Sequence, residues 1–133
     1  MIKLSKLADY AVVILAAMSE SQGVRLSAGV LAETTKLPEP TVAKVLKLLA
    51  KEEVIQSIRG VNGGYVLEHA PQDIKITAVI AAMDGPIAIA SCVDEAEGCC
   101  DREEHCSVKG KWTPVNAAIR NALDGVTLAD MVN

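Results

Sequence analysis

The sequence predicts a mainly α-helical chain with one small β-hairpin. Three observations predict it. Apolar residues recur at steps of three and four through most of the chain, which is the period of an amphipathic helix. The period changes to alternation at Val54-Ile55-Gln56-Ser57-Ile58, and a second short run, Tyr65-Val66-Leu67, follows. Between these runs lies Arg59-Gly60-Val61-Asn62-Gly63-Gly64. Its Asn-Gly-Gly supplies the positive φ angles that a tight hairpin needs.

The first helix is expected over 5–19. Leu7, Tyr10, Ala11, Ile14, Leu15 and Met18 fall on one face, and Val12 and Val13 widen it. A helix apolar over so much of its surface is buried on more than one side. Ser27 caps a second helix over 27–35, which Leu37-Pro38 stops. The third helix is expected over 39–52, with Pro40 in the first turn, where proline is tolerated. Val42, Val45, Leu46 and Leu49 form its inner stripe, and Thr41, Lys44, Lys47 and Lys51 fall opposite. After the hairpin, a fourth helix is expected over 74–83, ending near Asp84-Gly85-Pro86. Residues 92–106 have no periodicity and read as a loop. A fifth helix is expected over 110–123. Its residues Trp112, Val115, Ile119 and Ala122 make a seam suited to a second copy of the chain. Gly125 ends it, and Thr127 to Asp130 resembles a capping box for one last turn.

Helix, short turn, helix and hairpin, in that order, compose a winged helix-turn-helix. In that unit the second helix of the pair enters the DNA major groove, and its early residues reach the base edges. Those residues are Pro40, Thr41 and Lys44. Thr41 suits a thymine methyl or a phosphate, and Lys44 suits guanine acceptors or a phosphate. Lys47 and Lys51 lie farther along and suit phosphates. Arg59 opens the wing turn, and a guanidinium on a slim loop fits the focused negative potential of a minor groove. Gly60, Gly63 and Gly64 let the backbone approach closely. The bland alternatives are a solvated lysine face and an Arg59 paired with a nearby acid. One such unit makes few contacts, so two-fold pairing on a roughly palindromic site is expected.

Length and composition bound the rest. A chain of 133 residues suits one domain with an appendage. Half of the residues are apolar, but there is no Phe, one Trp and two Tyr. Ala, Val, Ile and Leu must fill the core, and base-stacking mechanisms are disfavoured. No apolar run reaches the ~18–20 residues of a membrane span, and no small-residue cleavage site follows the first basic residues. The start therefore reads as that of a mature cytoplasmic protein. The net charge is −4 but uneven: residues 1–70 carry eight Lys/Arg against seven Asp/Glu, and residues 71–133 carry five against ten. The expected division is a DNA-binding unit over 1–70 and a cysteine loop with dimerisation helices over 71–133. No nucleophile–base pair, phosphate loop or substrate motif points to an enzyme.

Four cysteines, Cys92, Cys99, Cys100 and Cys106, share one 15-residue window. Without a secretion signal, such a cluster more often binds metal or serves redox chemistry than builds disulfides. Thiolates select zinc, copper(I) or iron–sulfur clusters. The gaps of six, zero and five residues match neither the paired knuckles of structural zinc nor a redox Cys-x-x-Cys. Wide gaps suit a loop around something larger than one ion, although the ferredoxin spacings are also absent. Asp94, Glu95, Glu97, Asp101, Glu103 and Glu104 surround the thiols, which disfavours a low-pKa catalytic cysteine and direct DNA contact there.

The sequence resembles the Rrf-two family of winged-helix repressors, which includes the regulators of Isc- and Suf-type iron–sulfur cluster assembly and a nitric-oxide-sensing repressor. The resemblance rests on Leu4-Ser5-Lys6 through Asp9-Tyr10-Ala11, Leu31-Ala32-Glu33, Val45 to Leu49, and above all Arg59 to Tyr65. The tail from Trp112 through Asn116-Ala117-Ala118-Ile119 to Met131 is most similar to the Suf-system regulators. The resemblance implies a homodimer crossing its C-terminal helices, with a 2Fe-2S or, alternatively, a 4Fe-4S cluster that sets affinity for a DNA operator. It implies Cys92, Cys100 and Cys106 as ligands, the last two keeping the family's five-residue gap. Cys99 is then the extra thiol, which replaces Cys100, adds a fourth ligand or stays free; Asp9 and His105 are the other candidates for a further ligand. Isc-type regulators carry a His three residues after the last cysteine, where this chain has Lys109, and a glutamate on the reading helix, where it has Ala43. These departures put the His ligand and dual operator recognition in doubt. The expectation is a repressor that senses cluster supply and controls a Suf-type operon. The alternatives are an iron- or nitric-oxide-sensing repressor of another regulon and a winged-helix regulator with structural zinc.

Overall fold

The computed structural model describes residues 3–90, 92–93 and 103–132. Six α-helices and one two-stranded antiparallel hairpin are found among them. α1 (Lys6–Ser19) starts where the Ser5 hydroxyl accepts the Ala8 N–H at 3.1 Å. The same hydroxyl donates to both oxygens of Asp84, at 2.7 and 2.9 Å. One N-cap therefore also ties the start of α1 to the end of α4 (Ile76–Asp84). α1 buries Ala8, Ala11, Ile14, Leu15 and Met18, a three-and-four pattern. Val13, expected to widen that face, is exposed.

α2 (Ala28–Thr35) is capped by the Ser27 hydroxyl, which accepts the Val30 N–H at 3.1 Å. It ends at Lys36 in the left-handed conformation (φ 61°), and Leu37-Pro38 lead into α3 (Glu39–Lys51). α3 buries Val42, Val45, Leu46 and Leu49, the stripe that periodicity assigned. Each fully buried Leu or Val removes enough apolar surface from water to contribute about 1.5–3 kcal/mol before entropy is counted.

α3 closes in a Schellman arrangement. Glu53 N–H donates to the Ala50 carbonyl and Val54 N–H to the Leu49 carbonyl, both at 3.0 Å. Glu53 holds φ at 61° to make this turn. β1 (Gln56–Ile58) and β2 (Gly64–Val66) then pair in the register Gln56↔Val66, Ser57↔Tyr65, Ile58↔Gly64. The strands are shorter than the alternation suggested, because Val54 and Ile55 are already buried in the core beneath the helix end. A bridge from Leu26 to Tyr65, with both hydrogen bonds at 2.8 Å, fixes the hairpin to the residue before the Ser27 cap.

Past a short 3-10 turn at Pro71–Asp73, α4 begins two residues later than its apolar pattern. Ile74 and Lys75 are extended because they pair with the segment before the last helix. Leu128 N–H donates to the Ile74 carbonyl at 2.8 Å, and Ile76 N–H to Val126 at 3.0 Å. α5 (Trp112–Asp124) and α6 (Leu128–Val132) complete the chain. The Thr127 N–H donates to the Asp130 carboxylate at 2.9 Å, the half of a capping box that the sequence pattern announced. One apolar cluster runs from Ala11, Ile14 and Leu15 through Val45 and Leu49 to Val79 and Leu128. Helices on both sides of residue 70 thus share a core.

Candidate nucleic-acid interface and thiol segment

The apolar stripe of α3 decides what its other face presents. With Val42, Val45, Leu46 and Leu49 turned inward, Pro40, Lys44, Lys47 and Lys51 are exposed, and Thr41 and Ala43 are half-buried. Pro38 makes no side-chain cap hydrogen bond to α3. The result is a cationic face beginning at the helix end that a helix-turn-helix offers to DNA.

The wing owes its shape to three glycines, in different ways. Gly60 takes φ 111°, and a Cβ there would meet open space. A Cβ at Gly63 would lie 2.6 Å from the Ile58 carbonyl oxygen, and one at Gly64 2.7 Å from that of Leu26. Gly63 and Gly64 are therefore required by the chain's own backbone, across the hairpin and against the residue before α2. Of Asn62, Gly63 and Gly64, expected to carry positive φ, Gly64 does, at 159°, while Asn62 and Gly63 do not; Gly60 carries the other. The tip left outside is Arg59, Gly60, Val61 and Asn62, all exposed. Among the described residues no carboxylate is bonded to Arg59. Two features here were missed in the sequence. Val61 is fully exposed at the tip, and the Arg25 side chain, exposed, lies beside Gly64 at the root of the wing. Neither belongs to a periodic pattern, so no local signal marked them.

The thiol segment leaves α4 at Gly85, whose φ of 83° turns the chain. Cys92 and Cys106 are both half-buried and carry no disulfide. Val93, next to Cys92, is buried. His105 closes a short 3-10 turn, Glu103–His105, and is exposed. The Lys109 N–H donates to the Cys106 carbonyl at 3.4 Å. Asp9 is exposed in the first turn of α1. Cys99 and Cys100 lie outside the described residues. Among the described residues, no three potential ligands converge. The donors that are placed, two partly shielded thiols, have the soft chemistry that suits an iron–sulfur cluster or zinc rather than a hard cation.

One residue that the sequence did not mark organises this region. Asn116 is 1% exposed and is the sole buried polar side chain among the described residues. Its Nδ2 donates to the Ile87 carbonyl at 2.9 Å, and its Oδ1 accepts the Ile89 N–H at 3.0 Å. The amide thereby pairs with two backbone groups of the Ile87–Ile89 stem of the thiol segment. A signal existed: Asn116 interrupts an apolar line through Trp112, Ile119 and Leu123, and a polar group there must find partners. Beside it, the Lys3-Leu4 segment, Asp84 to Ile89, Ile119 and Leu123 line an apolar groove of about 530 Å³. On α5 itself, Trp112 and Val115 are 47% and 42% exposed.

Comparison with known proteins agrees with this geometry. The Rrf2 family model, described as iron-dependent transcriptional regulator, matches residues 4–133. The HTH-type transcriptional regulator IscR of Erwinia tasmaniensis is 32% identical over 119 residues, covering 90% of this chain and 63% of that protein. The structure of CymR (YrzC), the global cysteine regulator of B. subtilis, superposes with a TM-score of 0.72 at 26% identity, covering 99% of this chain and 97% of that one. IscR of T. potens gives a TM-score of 0.68 at 28% identity, covering 98% and 86%. These relatives are transcriptional regulators, not enzymes. Fold, exposed reading helix, glycine-built wing and the match from residue 4 to residue 133 agree, and the chain belongs to the Rrf2 family of DNA-binding winged-helix transcriptional regulators.

Proposed function

We propose that this chain is a cytoplasmic, homodimeric repressor that carries an iron–sulfur cluster on Cys92, Cys100 and Cys106 and controls a Suf-type cluster-assembly operon. The observation that carries the reading is a juxtaposition. The thiol segment is hydrogen-bonded to α5, and α5 is the helix whose Trp112–Val115 seam is left exposed. A group bound by the thiols would sit beside the helix expected to set the spacing of two reading heads.

The division of labour follows from the residues. Lys44 and Thr41 contact base edges at the start of α3, and Lys47 and Lys51 neutralise phosphates. Arg59 enters the minor groove on a wing that Gly63 and Gly64 hold in shape. The bound cluster supplies redox-sensitive, oxygen-labile iron–sulfur chemistry. Cys92 and Cys106 offer thiolates at the two ends of the acidic segment, Cys100 supplies the third, and Cys99, Asp9 or His105 completes the set. The acidic side chains keep the segment off DNA and favour a cation among the thiols. The required coupling between thiol site and operator is modest, about 1–3 kcal/mol, a typical allosteric energy.

The test is anaerobic purification, a visible spectrum with iron and sulfide counts, and operator binding of loaded and metal-free protein. A brown protein with equimolar sulfide, whose operator affinity changes at least about fivefold on cluster loss, is expected. Stoichiometric zinc without sulfide would leave the DNA-binding unit and overturn the sensor. In the same assay Arg59→Ala should weaken operator binding by about 1–3 kcal/mol, a typical cost for a groove contact.

A further inference from the structure

We propose that Asn116 is a positioning residue that fixes Cys92 relative to α5 and so links the thiol site to the dimerisation helix. The proposal rests on the reading of Cys92 as a ligand. Asn116 is the sole fully buried polar side chain among the described residues, and both ends of its amide bond one short stretch of backbone. Only one orientation of the amide satisfies both bonds, because nitrogen must face the Ile87 carbonyl and oxygen the Ile89 N–H. The pairing is therefore directional, as a peptide group in a sheet would be.

Cys92 follows three residues after Ile89. On its other side Val93 is buried, and the Val93 N–H donates to the Ala90 carbonyl at 3.4 Å. Cys92 is thus held between a core anchor and the Asn116 clamp. Among the described residues Cys106 is held elsewhere, by the Glu103–His105 turn and the Lys109 N–H. The two thiols are held by different means, so a change at Asn116 should act on one and spare the other.

Asn116 also lies within the helix that carries Trp112, Val115 and Ile119. Farther along α5, Thr77 of α4 donates through its hydroxyl to Asp124, and Lys75 bridges to Thr127. The C-terminal end of α5 is thereby fixed to the winged-helix core, whereas its N-terminal half meets the thiol segment through Asn116. A shift of the Cys92 backbone would pass into α5 through this amide.

The decisive measurement is thiol alkylation in the metal-free full-length chain. N-ethylmaleimide is applied to wild type and Asn116→Leu, a substitution of similar volume that removes both hydrogen bonds. The rates at Cys92 and Cys106 are read separately by peptide mass spectrometry. The expected result is an increase at Cys92 of about tenfold, the equivalent of about one hydrogen bond, with Cys106 within about twofold. Equal acceleration at both sites, or none at Cys92, overturns the proposal. Should Asn116→Leu fail to fold, hydrogen exchange in wild type decides. The Ile89 amide must then be protected, and exchange at an open-loop rate refutes the clamp. Cluster loading of wild type is scored separately. A chain that takes up no iron or sulfide removes the ligand role of Cys92, while the alkylation ratio still judges the clamp. In a loaded protein, Asn116→Leu should release iron faster than wild type.

Discussion

Glu53 occupies a backbone position that favours glycine. It is the residue just past the cap of α3, at φ 61°, and both hydrogen bonds of the Schellman turn depend on that angle. A β-carbon in the left-handed region costs on the order of 1 kcal/mol, and the side chain is exposed. Glu53→Gly should therefore raise stability by about 0.5 kcal/mol, the relief of strain less the entropy of glycine. Urea denaturation checks it, and a loss of stability would contradict this account. The helix end itself was legible in sequence, but the left-handed residue was not, because neither Glu53 nor Lys36 is a residue type that announces one. The wing glycines carry a related lesson. Their presence signalled a turn, yet what demands Gly64 is the Leu26 carbonyl oxygen, far away in sequence.

The helices differ in how much of their pattern the monomer satisfies. In α3 the buried residues are those that the three-and-four spacing selects; in α1 Ala11, Ile14, Leu15 and Met18 are, but Leu7 and Tyr10 are half-buried and Ala8 is buried instead. In α5 the most exposed large apolar residues, Trp112 and Val115, lie on the spacing that would pair with another helix. Exposing such a stripe to water is unfavourable by about 25 cal/mol per Å² of apolar surface, so an occupant is expected, and the dimer reading supplies one. Val115→Glu places a charge in that seam. It should weaken self-association by about 2 kcal/mol or more, roughly 30-fold in Kd, with the helical circular dichroism unchanged. Light scattering at micromolar concentration checks the shift from dimer to monomer. An unaltered dimer would move the interface away from α5. The start of α4 shows the limit of periodicity at this scale: Ile74 fits a helical stripe, yet its carbonyl is bonded to Leu128 in extended form.

For the whole molecule, the charge asymmetry and the cysteine window suggested a functional division near residue 70. The apolar core does not stop there. Leu128 on α6 is fully buried in the same cluster as Ile14, Leu15 and Leu49. Leu128→Ala should cost about 2–5 kcal/mol through lost burial and the cavity left behind. Because the core is shared, thermal unfolding should remain one transition at a lower temperature. Two separated transitions would show that the C-terminal helices unfold independently.

The sequence by itself determined what depends on neighbours within a few residues. That includes the helices and the cap at Ser27, the inward stripe of α3 and hence the outward lysines. It also includes the hairpin and the capping box at Thr127. These follow from periodicity and side chain-to-backbone bonds that close over three or four positions. Only the tertiary structure decided what joins distant backbone. It set the late start of α4 against Leu128, the demand for glycine opposite Leu26, and the burial of Asn116 against Ile87 and Ile89. Which backbone carbonyl or amide a residue meets across the fold is not written in its own periodicity, because it depends on how two separate elements pack.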